Sequence, residues 1–384
     1  MKKAFSLFFV LLFVSFFCVN CGEADRRPVK VSDDADSGAV DADHEDQTDT
    51  DSDPEENDTE EPEVTDDVEP EPDENPDIPD DEPDEPADED DTVFTFGPYV
   101  VNMIDVKSNK DDAPRNFRIY EPTGAEGLVP VIHFLHGFQL KYDYYDNILM
   151  QLSSHGFLVV SSQSEHGMLG LGGDTSIEEA AEVITLINWL KENLASKVSV
   201  VPDFENFGVA GHSRGGKVTN RVLNTDPTIA KSFFGIDPVD AAPTGQGSKD
   251  PQSLNDPVQF TGESMFLGTE KGPQGFQVGN TINSACAPEG DNSAKFYASY
   301  PSPSHHIIAA GVGHNDMLDA NECGQTCSVC ASSGDDGMNL MFVAYTGGLM
   351  TAFFNLTLKG ETEYEALLND SSTHPFATTV VEHK

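Results

Sequence analysis

Apolar and polar positions divide the 384-residue chain into three zones. Ala4 to Val19 is an almost unbroken apolar run behind the short positive end supplied by Lys2 and Lys3. Val31 to Asp91 is built mainly from Asp, Glu, Pro, Thr and Ser and holds no aromatic residue. From residue 92 onward, short apolar runs alternate with stretches of helical period, the pattern of strands interleaved with helices.

Within that third zone, Tyr99 to Asp105 and Asn116 to Tyr120 are expected as early strands, separated by the turn-rich Ser108 to Pro114. Val129 to Leu135, which ends in His-Gly, and Gly156 to Ser161 are continuously apolar. That is how strands buried on both faces read. Between Ser176 and Leu194, residues Ile177, Ala180, Ala181, Ile184, Ile187 and Leu190 recur at helical spacing. Thr175 or Ser176 caps this helix, and Glu178 and Glu179 sit in its first turn, where the helix dipole favours negative charge. Phe207 to Ala210 is the next strand, and a helix containing Val218 to Leu223 follows the turn Gly211 to Gly216. Ser232 to Ile236, Ser264 to Leu267 and Ile307 to Ala309 continue the strands, and Met338 to Leu358 is a final, largely apolar helix. The alternation predicts an α/β fold with a mostly parallel central sheet covered on both faces. Its chemistry belongs at the carboxyl ends of the strands.

Charge changes the picture mainly at the N-terminal side. The chain carries 68 acidic against 21 basic residues, a net charge of −47. Residues 31–91 account for 32 of those acids and hold no Lys or Arg, so 34 acidic and 16 basic residues remain in 92–384. That remainder suits one mildly acidic domain with a large core. Nucleic acid is excluded as a partner, because phosphate neutralisation needs clustered Lys and Arg. The acidic block repels itself and has almost no apolar surface to offset ordering, so 22–91 is expected to be a disordered linker. Asp49 to Asp53 could hold Ca²⁺ only with the Gly turn and bidentate Glu of a calcium loop, and these are missing. Residues 1–21 read as a signal peptide. Cys18-Val19-Asn20-Cys21-Gly22 resembles the lipoprotein cleavage box of bacteria, which makes Cys21 the candidate lipid anchor. Asn20 departs from the small residue usual there, so plain cleavage and an uncleaved anchor stay open. The expected location is outside the cytoplasm: an outer-membrane or cell-surface lipoprotein, or a periplasmic or secreted protein. No later stretch is expected to span a bilayer.

The motif that carries chemistry is Gly211-His212-Ser213-Arg214-Gly215. It follows an apolar strand and precedes a helix, as a nucleophile elbow requires, and its glycines permit the sharp turn that exposes Ser213. A Gly-rich turn with an incidental Ser is the bland alternative, and the strand-turn-helix context weighs against it. A serine hydroxyl needs a base, and the base an orienting acid, each on a loop after a later strand. His314, in Gly313-His314-Asn315-Asp316, follows the strand Ile307 to Ala309 and is the expected base. His305 and His306 precede that strand and are expected at its opposite end. His133, inside an apolar strand, reads as a buried, hydrogen-bonded core residue. For the acid, Asp237 and Glu270 each end a strand and stay open on order alone, with Asp240 third. The oxyanion hole needs two backbone N–H groups, expected from Arg214 after the nucleophile and from Phe138 after Leu135-His136-Gly137.

Taken together, these residues resemble the chlorophyllase branch of the α/β-hydrolases, related to platelet-activating-factor acetylhydrolases and cutinase-like polyester hydrolases. The matching pieces run in order from about Phe96 to Gly360: Phe134 to Phe138, Ser154 to Phe157, Gly211 to Lys217, Gly235 to Asp240, Cys286-Ala287-Pro288 and Gly313 to Asp319. The resemblance implies an α/β-hydrolase fold over 92–384 and hydrolysis of a carboxylic ester through an acyl-enzyme. It also implies that the acid is the Asp of Ile236-Asp237-Pro238. For chlorophyllases the reaction releases phytol from chlorophyll; for this chain the leaving group stays open. A lipase, phospholipid acetylhydrolase or polyesterase of the same fold is the alternative. A non-catalytic surface binding module is the alternative from another class.

Beyond the two cysteines of the leader, Cys286, Cys323, Cys327 and Cys330 form an even set in an exported region, which favours disulfides. One bond within the cluster and one to Cys286 is the expectation, with three pairings open; four thiolates around zinc is the rival. No metal and no organic cofactor is expected. The expected partners are a small-molecule or lipid-like ester and, through Cys21, a membrane, with the chain itself a monomer.

Overall fold

A computed structural model of the chain describes residues 92–164, 174–242, 250–278, 281–319 and 329–384. The expected signal peptide, Cys21, the acidic linker, Cys323 and Cys327 lie outside the described residues.

In chain order the described elements are β1 (Val100–Val106), α1 (Ser108–Asp111), β2 (Phe117–Thr123), β3 (Leu128–Leu135), α2 (Asp146–Ser154), β4 (Leu158–Ser162), α3 (Ser176–Asn193) and β5 (Val201–His212). There follow α4 (Arg214–Thr225), β6 (Ser232–Ile236), β7 (Glu263–Thr269), the short pair β8 (Phe276–Val278) and β9 (Thr281–Asn283), and α5 (Ser293–Ser299). The series ends with β10 (Ser304–Ala309), α6 (Asp336–Phe354), α7 (Tyr364–Asn369) and β11 (Thr378–His383). Nine strands form one sheet in the order β1-β2-β4-β3-β5-β6-β7-β10-β11. The six strands from β4 to β10 are parallel, and β1, β2 and β11 close the edges antiparallel. This is the arrangement of an α/β-hydrolase fold.

Continuous apolar runs form the central strands because both sheet faces are covered. Phe134, Ala210, Phe234, Ile236 and Leu267 face a core shared with α2 and α6, and Val131, Leu135, Val209, Phe233 and Phe266 face one shared with α3 and α4. Thr175 caps α3 in a full capping box with Glu178, which satisfies two donors that the helix itself cannot. His133 is buried within β3 and bonded to Ser162 Oγ at 2.9 Å.

Three expectations need correction. The apolar helix is not the last element, since α7 and the edge strand β11 follow it. Together with one further turn to Lys359 it is long and apolar enough to cross a membrane, contrary to the expectation that no such stretch exists. Yet 72 % of its apolar stretch is buried inside the fold, where an all-round apolar helix fills a core. His305 and His306 lie within β10, which starts at Ser304, and not before it.

Candidate active site

Parallel register brings Leu135, Gly211, Gly235 and Phe266 level across β3, β5, β6 and β7. The loops that leave these strands therefore share one rim. Ser213 stands there between β5 and α4 with φ 54° and ψ −122°, a left-handed conformation costly for a side-chain-bearing residue. Its N–H donates to Ile236 O at 3.0 Å, and its carbonyl accepts from Gly216 N at 3.0 Å and Val239 N at 3.1 Å. A side chain on Gly215 would run into the Leu135 carbonyl, so the elbow packs directly on β3.

His314 leaves β10 at the same rim, through Gly311-Val312-Gly313. Its Nε2 is 2.9 Å from Ser213 Oγ and its Nδ1 2.8 Å from Asp237 Oδ2. A carboxylate can only accept, so Nδ1 carries the ring proton and Nε2 is left to accept from the serine hydroxyl. Asp237 is buried at φ 36° just beyond β6. Thr269 Oγ1 donates to its Oδ2 at 2.8 Å, and Thr269 N reaches Oδ1 at 3.4 Å. The other two acids are engaged elsewhere. Glu270 Oε2 accepts from Gly311 N at 2.7 Å. Asp240 accepts from Ser253 N at 2.6 Å and Oγ at 2.7 Å, and from Lys295 Nζ at 2.8 Å. His305 pairs with Glu263 at 2.8 Å and His306 with Glu382 at 2.9 Å, toward the entry end of β10.

The loop after β3 approaches the elbow from the other side. Gly137 O accepts from Leu140 N at 3.2 Å and faces His136 Nδ1 at 2.7 Å. His136 Nε2 accepts from Ser164 N at 2.8 Å, so Nδ1 holds the proton and donates to Gly137 O. Burial pushes the His136 imidazole down to about 4, and it is neutral at neutral pH. In a trans peptide the N–H points opposite to the carbonyl, so anchoring Gly137 O aims the N–H of Phe138 the other way. The Arg214 N–H opens α4, where no preceding helical turn offers an acceptor. The Arg214 side chain is buried against Glu179, with Nη2 donating to Asp174 O at 2.8 Å.

Two contacts hold the His314 loop from outside. Asp316 accepts from Gly313 N at 2.8 Å, Ser333 N at 2.7 Å and Ser332 Oγ at 2.5 Å. Cys330, just before that segment, is disulfide-bonded to Cys286. This is the expected tie between the cysteine cluster and Cys286. Among the described residues no group of His, Cys, Asp and Glu has the arrangement of a metal site.

Sequence reasoning missed Thr269, Asp316 and the tautomer-fixing partners of His136. The signal for Thr269 is its place just before Glu270, at the end of a strand that is a candidate to carry the acid.

Comparison with known proteins places the chain in a family. The chlorophyllase family profile matches residues 89–384. Chlorophyllase-1 of Arabidopsis thaliana is 32 % identical over 284 residues, covering 70 % of this chain and 85 % of the relative. Chlorophyllase-2 of the same plant is 27 % identical over 257 residues, covering 65 % and 79 %. The chloroplastic Chlorophyllase-1 of Citrus sinensis is 30 % identical over 306 residues, covering 76 % and 88 %. The chain belongs to the chlorophyllase family and is a chlorophyllase-like carboxylic-ester hydrolase.

Proposed function

We propose that the protein is an exported serine esterase that works through an acyl-enzyme, with Ser213 as nucleophile, His314 as base and Asp237 as the acid that orients it. The observation that carries this reading is the continuous Ser213–His314–Asp237 hydrogen-bond chain, at 2.9 and 2.8 Å, on an elbow with positive φ. Ser213 Oγ attacks the ester carbonyl while His314 Nε2 takes its proton, and the carbonyl π pair moves onto oxygen. The N–H groups of Phe138 and Arg214 stabilise that oxyanion, aided by the positive end of α4. Collapse breaks the bond to the alkoxy oxygen, which leaves with the proton from His314. Water then repeats the sequence on the acyl-enzyme and releases the acid. Asp237, held by Thr269, stabilises the imidazolium in both halves.

The names of the relatives make chlorophyll the first substrate to test, with a long-chain alcohol as leaving group. Removal of the leader before Cys21, a lipid anchor on Cys21 and the acidic stalk of 22–91 would hold the 92–384 catalytic domain at a membrane surface. The full chain, incubated with p-nitrophenyl esters, chlorophyll, a phospholipid and an aliphatic polyester, is expected to turn over at least one of them. Ser213→Ala should abolish that turnover and labelling by a fluorophosphonate. Retained turnover in Ser213→Ala overturns the nucleophile assignment. Loss of labelled palmitate in Cys21→Ser tests the anchor.

A further inference from the structure

A second polar chain runs behind the Ser213 site, and its hydrogen bonds go to neither the Ser213 hydroxyl, the His314 ring nitrogens nor the Asp237 carboxylate. The Gly137 N–H donates to Tyr145 Oη at 3.2 Å. Tyr145 Oη lies 2.7 Å from His212 Nδ1, and His212 Nε2 lies 3.0 Å from the backbone oxygen of His314. The proton positions in this chain follow from its two ends. A carbonyl oxygen only accepts, so His212 Nε2 must carry the ring proton. Nδ1 is then a bare lone pair, so the Tyr145 hydroxyl must donate to it and accept from Gly137. Every donor points the same way, and only one tautomer fits.

The chain is also neutral. Tyr145 and His212 are completely buried. Burial, reinforced by the neighbouring His314, holds the His212 imidazole well below its usual value, and burial pushes the Tyr145 phenol up. The His212 ring leans on that of His314, with centroids 4.6 Å apart. A charged His212 would oppose the imidazolium that His314 forms, whereas a neutral one does not. Space is as constrained as protonation. A Cβ on Gly137 would come within 3.0 Å of His212 Nδ1 and 3.2 Å of Ser213 Cβ.

We propose that Tyr145 and His212 are positioning residues: a neutral, single-tautomer strut that fixes the His314 backbone and the Gly137 loop relative to Ser213. The three groups that must meet in the transition state come from loops after β3, β5 and β10, and the strut ties all three. The proposal rests on the reading of Ser213 and His314 given above.

In the full chain, Tyr145→Phe keeps the ring and removes the hydroxyl. The expected result is a fall in kcat of about 10- to 100-fold, as small misplacements cause, with KM changed by less than about threefold. Rates are counted per site titrated with fluorophosphonate, so a variant that merely folds less well loses sites and not kcat. His212→Gln keeps an N–H donor for the His314 carbonyl and should retain about tenfold more kcat than His212→Leu. If the two residues act as one unit, adding Tyr145→Phe to a His212 variant costs less than about threefold. Should His212→Leu fail to give a cooperative melt, the same cycle is run with His212→Gln. A kcat in Tyr145→Phe within twofold of the unmodified protein, or losses that multiply in the double variant, overturns the strut. Turnover surviving in Ser213→Ala would instead sink the underlying active-site reading.

Discussion

Among the described residues, two serine–histidine–carboxylate chains draw on β10 or the loop that leaves it. At the rim, Ser213, His314 and Asp237 are joined at 2.9 and 2.8 Å. Lower in the sheet, Ser293 Oγ lies 3.2 Å from His306 Nε2, whose Nδ1 lies 2.9 Å from Glu382 Oε1. The connectivity is the same, but the settings differ. Ser213 sits at positive φ between a strand and a 12-residue helix, whereas Ser293 begins a seven-residue helix and packs against Gly268. Asp237 is buried and braced by Thr269, while the Glu382 side chain is 49 % exposed. His306 is stacked on Tyr297, with centroids 5.2 Å apart. Three side chains in a row do not make a nucleophile. The strained elbow and the helix end behind it distinguish the two, and the proposed oxyanion donors belong to the rim alone.

The largest effect should separate the two serines. Ser213→Ala is expected to lower kcat/KM by at least about 10⁴-fold, the range for loss of a serine nucleophile, while Ser293→Ala stays within about twofold. Peptide mapping after fluorophosphonate treatment should find the label on Ser213 alone. Label on Ser293 would break the comparison at its root.

The two acids come next. Asp237→Asn removes the acceptor that fixes the His314 tautomer and should cost about 10³- to 10⁴-fold in kcat. Glu382→Gln should leave kcat within about twofold, and Glu270→Gln within about tenfold, because the Glu270 carboxylate braces Gly311 and not the His314 ring. A Glu270→Gln loss as large as that of Asp237→Asn would transfer the orienting role to β7.

How much of this could be read in advance varies by element for physical reasons. Strand β6 shows at its full length, because burial on both faces leaves Ser232 to Ile236 almost free of polar interruption. Helix α2 escapes notice because Gln151, Ser153 and Ser154 are buried among Ile148, Leu149 and Leu152, which blurs the apolar stripe. Edge strand β11 is half-exposed and short, so its alternation is weak. At the site, Ser213 and His314 stand out because their glycine-rich turns follow strands. The acid does not, since Asp237 and Glu270 end neighbouring strands at the same rim. They differ in side-chain direction, which the positive φ of Asp237 and its bonds to Thr269 set. Neither is visible in a linear pattern.

The rim is held by a cross-link as well as by the sheet. Cys286–Cys330 closes a separation of 44 residues, and the segment after Cys330 supplies the donors to Asp316 beside His314. Loss of the bond in Cys286→Ser should lower unfolding stability by roughly 2–4 kcal/mol. Reduction of the unmodified protein should lower it by at least as much, since it also opens the bond expected within the cysteine cluster, and should slow ester turnover, read by thermal melts and by kcat before and after dithiothreitol. An unchanged melting temperature would mean that the hydrogen bonds of Asp316 suffice.

The smallest expected effect belongs to the lower chain, and its sign follows from burial. His306 is held below its ordinary value mainly by burial, while its hydrogen bond to Glu382 and the charges of Glu382 and Asp237 pull it partly back up. The unfolded chain therefore takes up its proton first, near 6.5. Stability from this group is complete above that pH and declines as pH falls toward the folded value, because there the unfolded state binds more protons. Removing the carboxylate in Glu382→Gln lowers the folded value further and steepens the decline. With Glu382 half exposed, the additional loss between pH 7.5 and 5.5 should stay under about 1 kcal/mol. Denaturant unfolding at the two pH values measures it, and His306→Gln should flatten the difference. An unmodified protein that gains stability on acidification, with the gain lost in Glu382→Gln, would show that His306 is charged in the fold. The Glu382 carboxylate would then act as a true counter-ion, which would make the lower chain electrostatically more like the rim than its burial allows.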